Sequence, residues 1–125
     1  MRLLLDTHVV LWHLSGERSL SEAVVAAVSA ADDLLFSSVS FAEVGIKAAA
    51  RKLVVPARLT AHVEAAGLRV LTLTAAHGLA VAELPLHHRD PFDRLLIAQA
   101  LMEGLTVVTV DPRFADYGVT VIDAG

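Results

Sequence analysis

Two aspartates stand directly after short apolar runs: Asp6 after Leu3-Leu4-Leu5, and Asp111 after Val107-Val108-Thr109-Val110. Such runs read as buried strands, and open parallel sheets bind ligands at the carboxyl ends of their strands. Both acids are therefore expected on one edge of a sheet. Taken singly, each is equally well explained as the cap of the helix that follows. Glu43 is a third candidate, in the first turn of a helix expected from Ser40 to Lys52. Helices that follow parallel strands begin on that same edge. The alternative for Glu43 is a capping box with Ser40. Asp90 and Asp93 lie three apart, close together on one helical turn. Capping ahead of Pro91 accounts for Asp90. It accounts less well for Asp93, which leads into the apolar stretch Leu95-Leu96-Ile97-Ala98.

Converging acids need a cation. Two carboxylates about 4 Å apart repel by roughly 4 kcal/mol at an effective dielectric of 20. A group of them would raise its own pKa values or force the site open. A divalent metal removes the conflict, and all-oxygen ligation favours Mg²⁺ or Mn²⁺ over zinc.

The elements that must position these acids alternate between strand and helix. Strands are expected at Arg2–Leu5, Leu34–Ser37, Val70–Leu73, Thr106–Val110 and Val119–Ile122. A short helix is expected from Thr7 to Leu14, then a loop at Ser15-Gly16-Glu17-Arg18. Ser21 caps a helix over Glu22–Ala31. Pro56 opens a short helical segment ending near Gly67. Thr74 caps a helix running to about Leu84, where Pro85 stops it. Asp90-Pro91 starts a helix that ends at Glu103 and Gly104. The strand runs are continuously apolar, as in a parallel sheet covered on both faces. The expected fold is α/β: three layers, with a central parallel sheet between helices.

The chain has 125 residues, the size of one domain spanning 1–125. It is 55% hydrophobic, 19% charged and 5% aromatic, so the core is expected to be aliphatic and disorder is not expected. It contains no cysteine, which excludes disulfides, zinc–thiolate sites and cysteine nucleophiles. No signal peptide and no spanning run are visible, and a soluble cytoplasmic protein is expected. The net charge of −4 argues mildly against nucleic-acid binding. It matters less where clustered acids hold metal and reverse the local field.

Four segments together carry a family resemblance. LLLDTHVVLW resembles the first strand and acid of PIN domains. SSVSFAEVGIKAAARKL resembles their second motif, HRDPFDRLLIAQALMEG the third motif of a VapC subfamily, and TVDPRFADYGVTVI the fourth. The segments fall in the right order over nearly the whole chain. The sequence is thus similar to PIN-domain ribonucleases, and specifically to toxins of VapBC toxin–antitoxin pairs. The resemblance implies a PIN-like fold with Asp6, Glu43, Asp93 and Asp111 as metal-binding catalytic acids. It implies hydrolysis of RNA phosphodiesters leaving a 5′-phosphate and a 3′-hydroxyl, with Mg²⁺ or Mn²⁺ as cofactor. Asp90 belongs to this subfamily's third motif and reads as structural first, catalytic second. Asp116 is a supplementary acid in some relatives and a loop residue on the bland reading. His8 departs from the family, where many members carry Asn.

Thr7 and Thr109 are candidates for orienting waters or acids through their hydroxyls. Lys47, Arg89 and Arg94 are candidate RNA contacts, although Lys47 has the i, i+4 spacing to pair with Glu43. His87 and His88 precede Asp90 and read as solvated loop residues that RNA could touch. Arg51-Lys52 reads as a solvated helix end. The resemblance also implies a VapB-type antitoxin that covers the pocket, contacting the region between Ser21 and Leu59, and a homodimer.

Three other readings compete. A haloacid-dehalogenase-type phosphatase also places an acid after its first strand, but needs a second where His8 stands. A receiver domain needs an acid where Thr74 follows the third strand. A catalytically silent PIN scaffold would only bind a partner, yet all four acids are present.

Overall fold

The computed structural model describes residues 1–16 and 19–125. The expected loop at Ser15–Arg18 therefore falls partly outside the described residues, at Glu17 and Arg18. Ser15 is instead the last residue of a helix, and Gly16 closes it.

Five parallel strands form one sheet: β1 (Arg2–Leu5), β2 (Asp33–Ser37), β3 (Arg69–Leu71), β4 (Thr106–Thr109) and β5 (Val121–Asp123), in the order β3-β2-β1-β4-β5. The chain winds outward from β1 to β3, then returns to lay β4 against the other side of β1. The order reverses between β1 and β4, where Leu5 pairs with Val108. A crevice opens outside the carboxyl ends of strands at such a point.

Helices α1 (Thr7–Ser15), α2 (Glu22–Ala30), α3 (Ser38–Ala49), α4 (Leu59–Ala65), α5 (Ala75–Ala80) and α6 (Pro91–Glu103) connect the strands. Strand side chains alternate between two cores. Leu3, Leu5, Phe36 and Val108 face Val9, Val24 and Val63 of α1, α2 and α4. Leu4, Leu35 and Val107 face Leu96, Ile97 and Ala100 of α6, with Phe114 and Tyr117. This is why the strand runs are apolar throughout: each face meets its own layer of helices.

Several boundaries differ from expectation. The third strand is Arg69–Leu71 and the last is Val121–Asp123, because only those residues meet a neighbour's backbone in register. The segment after Pro56 becomes helical only at Leu59. The helix after Thr74 is regular to Ala80 and then tightens to a 3-10 turn at Val81–Glu83.

The start of α3 is the consequential difference. Its cap is Ser37, whose hydroxyl accepts from the Val39 amide at 3.0 Å. Ser40 lies inside the helix, so no capping box engages Glu43. The helix also stops at Ala49, short of Lys52, and Arg51 takes a left-handed φ of 59°. The Ser37 hydroxyl donates to Oε1 of Gln99 at 2.6 Å, fastening the start of α3 to α6. Helices bearing Glu43 and Asp93 are thus tied by a buried bond.

Among the described residues, no helix is long and apolar enough to cross a membrane.

Candidate metal centre

Each candidate acid arrives on a different element at the carboxyl edge of the sheet. Asp6 follows β1 and is buried; its backbone amide still pairs with Val108 of β4 at 2.9 Å. Glu43 stands in α3 and is also buried. Asp93 lies in the first turn of α6, where Asp90 caps the helix: Oδ1 of Asp90 accepts from the amides of Phe92 and Asp93, at 2.9 and 3.1 Å. Asp111 follows β4 and opens a 3-10 turn over Pro112–Tyr117.

The acids feel one another. The carboxyl of Asp93 is pushed up to about 8, by burial first and then by repulsion from Asp6, Asp90, Glu43 and Asp111. Asp6 is also raised. Burial is again the largest cause, and Glu43 adds to it against the opposing Thr109 bond and the nearby His8. Asp111 goes the other way. Burial would raise it, but hydrogen bonds from Arg113 and the charges of Arg113 and His88 outweigh that and lower it. The acids from four elements therefore lie close enough at the carboxyl edge of the sheet to act on one another; among the described residues, Asp93 and Asp111 with His88 form the group whose ligand atoms come within 4.8 Å.

Three polar atoms in this group are buried with no hydrogen-bond partner among the described residues: Asp6 Oδ1, Glu43 Oε1 and His88 Nε2. Leaving a carboxylate oxygen dry and unpaired is costly. Two such oxygens in a cluster of acids match a site for a hard cation.

The neighbours of these acids hold them in place. Thr109 Oγ1 donates to Asp6 Oδ2 at 2.7 Å and accepts from the Asp111 amide at 3.0 Å. One hydroxyl thus orients the first acid and anchors the last. Thr7 acts on Asp6 through its backbone amide, not through its hydroxyl. Its hydroxyl donates to Ser40 Oγ at 2.7 Å, joining α1 to α3. Arg113 forks onto Asp111, with Nε and Nη2 at 3.0 and 2.9 Å. Lys47 Nζ lies 2.5 Å from Glu43 Oε2. Burial would lower its pKa, but Glu43, Asp90 and Asp93 together raise it.

Two expectations about cations and rings need correction. Arg94 is buried and is not available to a substrate. Its guanidinium donates to the carbonyls of Pro85, His88, Val81 and Leu84 and to the Tyr117 hydroxyl, at 2.8 to 3.3 Å. The fork is consumed in closing the loop between the 3-10 turn and α6. His88 is not a solvated loop residue; it is 6% exposed. Its amide donates to Tyr117 at 2.8 Å. Its Nδ1 accepts from the Asp90 amide at 3.2 Å, which puts the ring proton on Nε2. Nε2 lies 2.7 Å from Asp93 Oδ2 and 3.3 Å from Asp111 Oδ2. Its N–H is not aligned on either oxygen well enough for a hydrogen bond. His88, Asp93 and Asp111 offer three potential ligand atoms within 4.8 Å of one another. The sequence signal for His88 was local: two residues before Asp90, its ring can reach the Asp90 amide. Tyr117, far along the chain, does the burying.

Arg89, His87 and Asp116 are exposed, and His8 is half-buried.

An acidic cluster at the switch point of a parallel α/β sheet defines the class of site. The family follows from comparison: residues 3–119 match the PIN domain, and the chain belongs to the PIN-domain family. It is 30% identical over 117 residues to ribonuclease VapC22 of Mycobacterium tuberculosis, covering 91% of this chain and 90% of that protein. Its fold is similar to a chain of VapBC2 from Rickettsia felis bound to a promoter DNA fragment, with TM-score 0.73, 14% identity and 100% of both chains covered. It is also similar to a chain of DNA-bound VapBC from Salmonella typhimurium, with TM-score 0.69, 21% identity and coverage of 100% and 99%.

Proposed function

We propose that the chain is a metal-dependent endoribonuclease, the toxin of a VapBC pair, with Asp6, Glu43, Asp93 and Asp111 as its catalytic acids. The observation that carries this reading is the pocket itself. Acids from four elements meet there, and two of their buried oxygens have no partner. The donor set fits a hard divalent cation, Mg²⁺ or Mn²⁺, better than zinc. Such an ion, when bound, lowers the pKa of a water and polarises the phosphoryl group.

The chain's own residues supply the frame. Asp6 and Glu43 offer unpaired oxygens. Asp93 must give up its proton to serve, since burial and then the neighbouring acids hold it protonated near neutral pH. Thr109 keeps Asp6 oriented. His88 Nε2 stands between Asp93 and Asp111 without a hydrogen bond to either; with Nδ1 accepting from the Asp90 amide, Nε2 carries the ring proton and is not a ligand atom. Arg113 holds Asp111 ionised. Arg89, exposed beside the pocket helix, is the remaining candidate phosphate contact from that motif.

A VapB-type antitoxin is the proposed partner. An apolar depression between α1, α2 and α4, including Val9, Leu14, Val25 and Val63, supports a protein contact that overlaps the region between Ser21 and Leu59 along α2, at Val25 and Val28. Exposed Leu79, Leu101 and Met102 support self-association as a homodimer. The proposed compartment is the cytoplasm.

The test is cleavage of labelled RNA by the purified chain. Cleavage is expected with Mg²⁺ or Mn²⁺, to stop with EDTA, and to be lost in Asp6→Asn. Release of phosphate from small phosphoesters without RNA cleavage would replace this reading with a phosphatase.

A further inference from the structure

A groove borders the acidic pocket, lined by His8 and Trp12 of α1, Lys47 of α3, and Lys52, Val54 and Pro56 of the segment beyond it. It meets the pocket at two residues. His8 follows Asp6 within one turn and its charge acts on that carboxylate. Lys47 holds Glu43. The rings of His8 and Trp12 lie 6.0 Å apart, tilted by 47°. Lys52 is exposed and has no acid partner among the described residues.

The charge around the pocket makes this groove notable. A polyanionic substrate must approach a chain of net charge −4. The nearby cations are mostly spent: Lys47 on Glu43, Arg113 on Asp111, Arg94 on carbonyls. Lys52 has no ion-pair partner among the described residues, and it lines the same groove as the two aromatic rings. A cation that meets the backbone next to a ring that stacks a base is the arrangement that holds single strands.

We propose that this groove is a subsite for single-stranded RNA, with an unpaired base against Trp12 and His8 and an adjoining phosphate on Lys52. The proposal rests on the nuclease reading of the pocket and gives the strand its path away from the acids. It selects unpaired RNA over duplex, because a paired base has no face to offer the rings.

Trp12 is the only tryptophan in the chain, so its emission reports on the groove directly. The probe is a short mixed-sequence single-stranded RNA, titrated into the full-length Asp6→Asn chain in Mg²⁺. Saturable quenching is expected. Adding Lys52→Ala should weaken binding about tenfold and flatten the log–log salt dependence by about 0.7. Lys52→Arg should restore both. Arg69→Ala should change neither, since that cation is paired with Asp33. In the active chain, Trp12→Ala should raise KM for RNA about tenfold, with a much smaller change in kcat. Absence of quenching, or unchanged KM in both Trp12→Ala and Lys52→Ala, would overturn the subsite while leaving the nuclease intact. Quenching by a protein partner but not by RNA would also overturn it. Normal quenching by RNA with no cleavage by the unmutated chain would support the subsite and reject the nuclease.

Discussion

Thr109 Oγ1 donates to Asp6 Oδ2 at 2.7 Å, joining residues 103 positions apart in the chain. The bond exists because β1 and β4 are neighbours at the point where the sheet order reverses. It orients a buried carboxylate whose other oxygen has no hydrogen-bond partner among the described residues. Thr109→Val keeps the shape and removes the donor. The expected result is a fall of about 10- to 100-fold in metal affinity, as is usual when a partner of a ligand is lost. Thr109→Ser should retain most of it. Calorimetric titration of Mn²⁺ into the two variants measures this, and equal affinities would contradict the role given to Thr109.

Asp93 links the pocket to pH. Its folded pKa is raised from 3.8 to about 8 by burial and by the other acids. The folded state therefore holds this proton more tightly than the unfolded chain. The stability it contributes is complete below pH of about 4 and is lost as pH rises through about 8. Thermal melts of the metal-free chain should fall across that window. Asp93→Asn, which cannot ionise, should flatten the decline and raise Tm at pH 9 while abolishing cleavage. A metal-free Tm that rises between pH 6 and 9 would refute this.

The same proton sets the metal response. Binding a cation must displace it, so apparent affinity should increase with pH up to about 8. The rise in Tm on adding Mg²⁺ should be larger at pH 8 than at pH 6. Proton release on metal binding, read by calorimetry in buffers of different ionisation enthalpy, checks the mechanism independently of activity.

His88 is expected to hold acids rather than the ion. Nitrogen-15 spectra of its ring should show the proton on Nε2 both before and after Mg²⁺ is added. An unprotonated Nε2 in the metal-bound protein would identify a ligand instead. His88→Ala should weaken metal binding about tenfold, because Asp93 and Asp111 lose their common neighbour.

Arg94 should behave as a structural residue. Five acceptors surround its guanidinium, so Arg94→Ala leaves buried carbonyls unpaired. A loss of about 2–4 kcal/mol in unfolding free energy is expected. Arg94→Lys should recover only part, since an ammonium cannot fork to several carbonyls. Denaturant melts measure both. An unchanged midpoint with weakened RNA binding would return Arg94 to the substrate.

Much of this protein was readable from local chemistry. Continuous apolar runs ending in acids specify strands and the edge on which Asp6 and Asp111 stand. Asp90, Pro91 and Gly104 bound α6 through a cap, a fixed φ and a left-handed terminus, all properties of single residues. The i, i+4 pairing of Lys47 with Glu43 is likewise local. Tertiary structure decided what local chemistry leaves degenerate. Ser37 and Ser40 are both good caps, and the bond from Ser37 to Gln99 of α6 is part of what favours the first. Freed from a capping box, Glu43 turns into the pocket's acid group. Arg94 and His88 read as surface residues until Tyr117, 23 and 29 residues downstream of them, closes over both. Burial is a property of what the chain brings from afar, and no spacing within a motif encodes it.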